Sequence, residues 1–347
     1  MKQVFVSDCN NYKLVDGPEP TIESSGDIVV KVRTTTVCGS DVHILAGHMH
    51  TPWGFPLGHE FVGVVHQLGS EVRNFKVGDR VVAPAAPWCG QCGNCRRGQT
   101  QVCERGGIFG SGARFGNLGG AQAEYVRVPF ADTCVSHIPD GVTDAQALTV
   151  GDVLSTGWTA VRNAVSAPGQ MLLVFGAGPV GLSAIHTARL HGVAGVIAVD
   201  TVADRLALAK ELGATHVIDP SQEDTPSVVA TLTGGRGAEA IVDAAGVNGT
   251  INAWSGVAAL GARIAMVGIP AVPVEINLTA LLEKNVSMWM GLGDLRHMDM
   301  LLSLIAGGTL DPSPIFTETI PFRDIERAIA EFIDRKPGLV KPLIPVD

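Results

Sequence analysis

The chain has 347 residues, of which 46% are hydrophobic and 17% are charged, and its formal net charge is −9. This length favours two domains over one, and the apolar content is sufficient for full hydrophobic cores. The negative charge disfavours a nucleic-acid partner, and no apolar run is long enough to span a membrane. The first residues lack the apolar core of a signal peptide, so we expect a cytoplasmic protein whose thiols stay reduced.

Two short motifs in the first 65 residues carry side chains that can bind a metal. The run DIVVKVR (27–33) predicts a strand, and CGSDVH (38–43) follows it closely. The segment FPLGHEFVGVV (55–65) places His59 and Glu60 in an apolar, glycine-flanked setting. A single cysteine or histidine in such a setting is more often a packed core residue than a metal ligand. These two motifs alone therefore leave both interpretations open.

The segment WCGQCGNCRRGQTQVCER (88–105) contains four of the seven cysteines. They are Cys89, Cys92, Cys95 and Cys103. The spacing C-x2-C-x2-C-x7-C lets one loop surround a single ion, and four thiolates suit tetrahedral zinc. Because four protein ligands leave no open position, we interpret this lobe as a structural zinc site. The alternatives are a redox CxxC pair, which needs only two cysteines, and a zinc knuckle on nucleic acid, which the net charge disfavours.

The segment LTVGDVLSTGWTA (148–160) adds a carboxylate, Asp152, in a turn-prone context. Together with Cys38 and His59 it forms a donor set that suits zinc and leaves one coordination position open. An open position is what catalysis by a metal ion needs. The surrounding short strands FVGVVHQLG, DRVVAP and AEYVRVPF are separated by Gly, Pro and Asp turns, which indicates a mainly antiparallel β domain.

The middle of the chain predicts a dinucleotide-binding unit. A buried strand, MLLVF (171–175), is followed directly by GAGPVG (176–181), a helix pattern and the strand VIAVD (196–200). The first glycine makes the tight turn, the second lets pyrophosphate approach the backbone and the third lets helix and strand pack closely. The phosphates then lie at a helix N-terminus. The residues predicted to bind the cofactor here are Gly176, Gly178, Pro179, Val180, Gly181 and Asp200.

Further strand and helix patterns continue this unit. ADRLALAKELGA (203–214) predicts the next helix, and AIVDAAG (240–246) and RIAMVGIP (263–270) predict later strands. Repeated βα units of this kind form a doubly wound parallel sheet. The predicted fold class is therefore α/β, with a doubly wound Rossmann cofactor domain and a second, mainly antiparallel β domain.

Taken together, these motifs resemble the zinc-dependent medium-chain alcohol dehydrogenase family over essentially the whole chain. The motifs that carry the resemblance are CGSDVH, GHEFVG at 58–63, the four-cysteine lobe, STG at 155–157 and GAGPVG. The resemblance implies a GroES-like catalytic domain formed by residues 1–153 and 292–347, and a Rossmann domain formed by residues 154–291. It also implies two zinc ions per chain, one catalytic and one structural, with NAD as the cofactor.

The resemblance assigns roles to individual residues. The catalytic zinc ligands carry over to Cys38, His59 and Asp152, where many members have a second cysteine in place of the aspartate. Aspartate at this position resembles the bacterial secondary-alcohol branch. Glu60 matches a family glutamate that approaches or ligates zinc in some states, and Asp41 matches the residue that hydrogen-bonds the ligand histidine.

Other implied roles concern the proton and the cofactor. By resemblance, Ser40 passes the proton of the alcohol to the cofactor ribose and His43 passes it to solvent, a role that suits an imidazole. Arg205 and Thr156 match family positions near the adenosine ribose and the nicotinamide. The strand-like run NVSMWMGLG (285–293) lies where family members pair sheets across a subunit interface, so a homodimer or homotetramer is expected.

The leading hypothesis is an NAD-dependent alcohol dehydrogenase that interconverts secondary alcohols and ketones. A polyol dehydrogenase or a primary or aromatic alcohol dehydrogenase of the same family is close behind. A non-catalytic zinc-bearing structural or binding protein is the alternative from another class, and the intact ligand, relay and glycine motifs argue against it. A zinc-free reductase of the same fold should lack the ligand set.

Overall fold

The computed structural model describes residues 1–346, which form two compact units. The first unit consists of Met1–Ser155 together with the segment that begins at Asp294, and the second is Thr156–Gly293. Among the described residues, no helix has both the length and the apolar character needed to cross a membrane.

The secondary structure consists of strands β1 to β16 and helices α1 to α12, with short 3-10 turns between some of them. The strands are β1 Lys2–Asp8, β2 Asn11–Asp16, β3 Ile28–Thr35, β4 Phe55–Pro56, β5 Phe61–Leu68, β6 Arg80–Val82, β7 Tyr125–Val128, β8 Ser136–His137, β9 Met171–Phe175, β10 Gly195–Val199, β11 His216–Ile218, β12 Ala238–Asp243, β13 Ala258–Met266, β14 Ser287–Met290, β15 Phe316–Thr319 and β16 Lys341–Pro345. The helices are α1 Gly39–Leu45, α2 Gly93–Arg96, α3 Ala131–Cys134, α4 Asp144–Val150, α5 Val153–Ala164, α6 Pro179–Ala188, α7 Ala203–Glu211, α8 Thr225–Leu232, α9 Asn248–Val257, α10 Leu278–Glu283, α11 Met298–Ala306 and α12 Ile325–Ile333.

The first unit is built on antiparallel strands, as the alternating patterns of its sequence predict. A three-stranded sheet has the order β2-β1-β4, and a seven-stranded sheet has the order β15-β16-β3-β5-β6-β8 with β7 paired to β3. Only β15 and β16 run parallel to each other in it. The inward faces of β3 and β5 bury Val30, Val32 and Val65 in one apolar core. This sheet supports the turns that precede α1 and β5.

The C-terminal strand of the first unit adjoins the segment before α1. Ile344 and Pro345 of β16 pair with the end of β3. The Thr36 hydroxyl donates a hydrogen bond of 2.6 Å to the carbonyl of Pro342. A strand some 300 residues further along the chain is thereby fixed beside the motif CGSDVH.

The second unit is a six-stranded parallel sheet with the order β11-β10-β9-β12-β13-β14. The first strand of this unit, β9, lies between β10 and β12, so the strand order reverses there, and this is where a parallel sheet leaves a crevice at the carboxyl ends of its strands. Both faces of these central strands are buried, which explains their continuous apolar runs. The predicted doubly wound fold is confirmed by this order. At one edge, β14 exposes Met288 and Met290.

Candidate active site

Four side chains with metal-binding atoms converge in the first unit. They are Cys38, His59, Glu60 and Asp152, and one donor atom of each lies within 4.8 Å of the others. Oδ2 of Asp152 is 3.5 Å from the Cys38 sulfur and 3.4 Å from His59 Nε2. The structure therefore brings together residues that are separated by up to 114 positions in the sequence.

The local chain conformation explains why these side chains meet. Cys38 is the N-cap of α1, in extended conformation at the end of the run that follows β3. His59 and Glu60 directly precede β5, and the Thr35 hydroxyl holds the Glu60 carbonyl at 2.8 Å. Asp152 lies in the tight turn between α4 and α5. Each donor thus comes from the end of a regular element, where its backbone is held by neighbouring structure.

Asp41 fixes the orientation of His59 from the side away from the cluster. Its Oδ2 accepts hydrogen bonds from the backbone N–H of Cys38 at 2.9 Å and from the Gln122 amide at 3.2 Å. Its Oδ1 lies 3.2 Å from Nδ1 of His59, at ion-pair distance but without the full geometry of a hydrogen bond. With Nδ1 facing a carboxylate, Nε2 is the nitrogen left to face the other donors.

The electrostatics of the cluster favour a cation. Burial opposes a charged imidazole, but Asp41, Cys38 and Asp152 outweigh it and raise the pKa of His59 well above its usual value. Burial also acts to raise the pKa of Asp152, yet the hydrogen bond and attraction from His59 lower it. Two carboxylates and a thiol surround this one buried imidazole, so a cation is favoured here and a metal ion can take the place of the proton. The thiol, imidazole and carboxylate donors fit zinc.

Glu60 belongs to the same cluster but has a strong partner of its own. Its Oε1 lies 2.7 Å from the ammonium of Lys341, and both side chains are almost completely buried. Burial disfavours the charged form of Lys341, but the attraction of Glu60 raises its pKa. Burial also raises the pKa of Glu60 against the attraction of Lys341, and the 2.7 Å contact between the two groups is what favours the ion pair. The second oxygen of Glu60 is buried and has no hydrogen-bond partner among residues 1–346.

The predicted relay residues lie on α1. The Ser40 hydroxyl is 3.2 Å from His59 Nε2, so it borders the metal cluster. His43 is half-buried one turn further on, and its Nδ1 lies 3.2 Å from Nδ1 of His48. One of these two rings must therefore carry hydrogen on Nδ1 and donate a hydrogen bond to the other. Burial is the larger cause that lowers the pKa of His43, and repulsion from His48 lowers it further. The ring is therefore mainly neutral at pH 7 and able to accept a proton.

The four cysteines of the lobe also converge. Their sulfurs lie within 4.8 Å of one another. Cys92 caps α2 and its sulfur accepts a hydrogen bond from the backbone N–H of Cys95 at 3.4 Å. Backbone donors from Cys95 and Glu104 lower the pKa of Cys92 to about 6, which favours the thiolate that a metal needs. Four sulfurs with backbone N–H support fit a closed zinc site.

The glycine loop of the second unit has the geometry expected for a bound dinucleotide. Gly176 has φ of 87° and its α-carbon faces Ala245, so the loops after β9 and β12 touch. A β-carbon on Gly181 would lie 1.7 Å from the carbonyl oxygen of Gly176, so only glycine fits there. A β-carbon on Gly178 would meet no heavy atom within 4 Å. The loop thus has an open face at the N-terminus of α6, where phosphate groups are favoured.

Asp200 is tied to this loop. Its Oδ2 accepts a 2.7 Å hydrogen bond from the backbone N–H of Ala177, and its Oδ1 accepts one of 2.9 Å from Val202. The carboxylate therefore shapes the glycine loop and the turn after β10. Arg205 lies on the first turns of α7, and Thr156 packs against Gly293.

Three neighbours of the site were missed by the reasoning from sequence. Lys341 stands alone among apolar residues in LVKPLIPV, and that isolation is the signal that could have marked it. Gln122 holds both Asp41 and the carbonyl of Thr36, and nothing in its sequence context indicates this. His48 follows His43 by five positions, a spacing that is only weakly suggestive of contact on a helix.

Comparison with known proteins identifies the family. The profile described as "Alcohol dehydrogenase GroES-like domain" matches residues 24–140, and that described as "Zinc-binding dehydrogenase" matches residues 179–302. An alcohol dehydrogenase of Cupriavidus necator is 34% identical over 357 residues, covering 98% of this chain and 97% of the relative. These matches extend over both units of the structure.

Solved structures agree with the sequence comparison. Alcohol dehydrogenase TADH from Thermus sp. ATN1 is 34% identical, with a TM-score of 0.94 and full coverage of both chains. An alcohol dehydrogenase from Escherichia coli CFT073, solved with NADH, is 28% identical with a TM-score of 0.88 over 99% of each chain. A structure from Sinorhizobium meliloti 1021 bound to NADP is 26% identical with a TM-score of 0.86, covering 99% of this chain and 98% of the other. The chain is an oxidoreductase of the zinc-dependent medium-chain alcohol dehydrogenase family.

Proposed function

We propose that this protein transfers hydride between a secondary alcohol and NAD, giving a ketone and NADH. The observation that carries the proposal is the convergence of Cys38, His59 and Asp152, with donor atoms within 4.8 Å of one another. Three protein ligands of this kind leave a position for substrate. Aspartate as the third ligand resembles the secondary-alcohol branch of the family and supports a ketone product.

Each residue has a role that follows from its position. Zinc, when bound, supplies a Lewis acid at the substrate oxygen. Cys38, His59 and Asp152 would hold the ion, and Asp41 fixes the ring of His59. Ser40 borders the cluster through its 3.2 Å contact with His59, so its hydroxyl can hold the proton that leaves the alcohol. His43, which is neutral at pH 7, accepts that proton on its way to solvent.

The cofactor part of the proposal rests on the second unit. The open face at Gly178 and the N-terminus of α6 suit the pyrophosphate of a dinucleotide. Asp200 directly follows β10 and lies beside the glycine loop, where its negative charge disfavours the 2′-phosphate of NADP. Thr201 and Val202, the next residues, provide no cation to offset this charge. NAD is therefore the proposed cofactor, with Arg205 near its adenosine ribose and Thr156 near its nicotinamide by family resemblance.

A kinetic panel tests the proposal. The zinc-loaded protein is assayed for NADH oxidation with linear and cyclic ketones, aldehydes and keto-sugars, and kcat/KM is compared across the classes. We expect ketones of simple secondary alcohols to give the highest values. Higher values for keto-sugars would assign a polyol dehydrogenase, and higher values for aldehydes a primary alcohol dehydrogenase. Absence of turnover with every carbonyl, with both metals bound, would reject an enzymatic role.

A further inference from the structure

The buried Lys341–Glu60 pair is a strong charge interaction at the metal cluster that the assigned roles do not use. The Lys341 ammonium is completely buried and contacts Glu60 Oε1 at 2.7 Å and the carbonyl of Val37 at 3.1 Å. Val37 directly precedes the ligand Cys38, and Glu60 directly follows the ligand His59. One ammonium thus contacts two of the three chain segments that supply metal ligands, those of Cys38 and His59.

The charges of the cluster show why such a cation matters. A zinc ion with the Cys38 thiolate and the Asp152 carboxylate is formally neutral, so a third anion at Glu60 needs a cation of its own. Lys341 is the cation that contacts it, and only one carboxylate oxygen is used in that contact. The other oxygen, Oε2, is buried without a hydrogen-bond partner in residues 1–346. A buried carboxylate oxygen without a donor is suited to a metal ion.

We propose that Lys341 is a positioning residue of the metal centre: its ammonium holds one oxygen of Glu60 and so limits ligation of the metal by the other. The inference rests on the metal assignment in the proposed function. With the ammonium present, Glu60 is shared between two cations, and its ligation of the metal is weak and reversible. Without it, the ion is the remaining cation that Glu60 can reach, and the carboxylate becomes a persistent fourth protein ligand.

Cobalt substitution gives a readout that does not depend on activity. Co²⁺ in place of zinc absorbs visible light with an intensity that falls as the coordination number rises. The absorption of the cysteine lobe is removed by subtracting the spectrum of Cys38→Ser, which keeps only the lobe intact. A second readout is the rate at which a chelator removes the metal from the same site. Far-ultraviolet circular dichroism confirms that each variant is folded.

The central variant is Lys341→Met, which removes the charge and keeps an unbranched side chain that is one heavy atom shorter. We expect a changed visible spectrum at the catalytic site, weaker if the carboxylate adds a fifth ligand and shifted if it takes the open position, and metal release slowed by about tenfold or more, the size of effect typical for partners of metal ligands. Lys341→Arg, which keeps a cation, should restore the spectrum and release rate toward those of the wild type. A wild-type spectrum and release rate in folded Lys341→Met would overturn the proposal.

The double variant Lys341→Met/Glu60→Gln separates positioning from simple repulsion between Lys341 and the metal. If Lys341 acts through Glu60, the double variant and Glu60→Gln have the same spectrum and release rate. A difference between these two overturns the proposal, and this comparison stands even where Lys341→Met alone does not fold.

If Cys38→Ser leaves the cobalt spectrum unchanged, the metal assignment fails and the inference fails with it. The ketone panel reports separately on the proposed reaction.

Discussion

The Asp41 carboxylate lies 3.2 Å from Nδ1 of His59, on the edge of the ring that faces away from the metal cluster. We expect Asp41→Asn to weaken metal binding at the catalytic site by about 10–100-fold, because the ring loses the charge that supports its tautomer and basicity. Competition with a chromogenic chelator measures this affinity.

Asp144→Asn is the matched control for Asp41→Asn. Asp144 belongs to the same unit and pairs with Arg33 and Arg80, but it is not part of the metal cluster. It should leave metal affinity unchanged. Equal affinity in Asp41→Asn and the wild type would show that Asp41 serves only to cap α1.

Asp152 is expected to be essential for one of two metal ions. Asp152→Ala should lose at most one zinc per chain and lower kcat/KM by about a thousandfold, a loss of about 4 kcal/mol in transition-state stabilisation. Asp152→Cys retains an anionic ligand and should keep the second zinc. Elemental analysis alongside kinetics measures both. Full activity in Asp152→Ala would remove this residue from the catalytic set.

The fold was predictable because its signals are local. The loop GAGPVG lies between a strand and a helix whose patterns can be recognised within a few residues, and the parallel sheet confirms that prediction. The four cysteines likewise lie within one short segment. The roles of individual residues in metal and cofactor binding that were inferred from those motifs stay predictions.

The contact between Lys341 and Glu60 could not be predicted from the sequence. It meets Glu60 across 281 positions, and this contact depends on the pairing of β16 beside β3. No periodicity or spacing encodes a contact between two such distant segments. A buried cation in an apolar strand indicates only that a partner exists, because an unpaired charge there would be very costly. The identity of the partner requires the fold.

The cysteine lobe should contribute to stability rather than to the reaction. Cys95→Ser removes one of four ligands, so we expect loss of one zinc and of more than about 3 kcal/mol in the free energy of unfolding. Chemical denaturation and zinc content measure these. Cys134→Ser is the matched control, since Cys134 is also buried but lies outside the cluster. Unchanged stability in zinc-depleted Cys95→Ser would contradict a structural role.

The pair His43–His48 predicts a specific pH dependence. His43 can accept a proton only in its neutral form, so turnover should fall as pH decreases through its pKa. Because His48 contributes to lowering that pKa, His48→Gln should raise it and move the acidic limb of the kcat profile to higher pH. His43→Gln should slow turnover most at low pH, where hydroxide cannot replace the lost base. An unchanged profile in His43→Gln would assign it to the surface alone.

Asp200 is expected to select NAD over NADP, but its hydrogen bonds complicate the usual test. The carboxylate also holds the backbone of Ala177 and Val202, so Asp200→Gly removes both the charge and the support of the glycine loop. Asp200→Asn separates the two effects, because its amide oxygen can still accept a backbone hydrogen bond while the charge is gone. A like-charge contact with the 2′-phosphate costs several kcal/mol, which corresponds to a preference of at least about a hundredfold for NAD. We expect Asp200→Asn to lower this preference mainly by improving kcat/KM for NADP, and Asp200→Gly to weaken NAD as well. Equal kcat/KM for both cofactors in the wild type, or a ratio unchanged in both variants, would reduce Asp200 to a residue that shapes the loop.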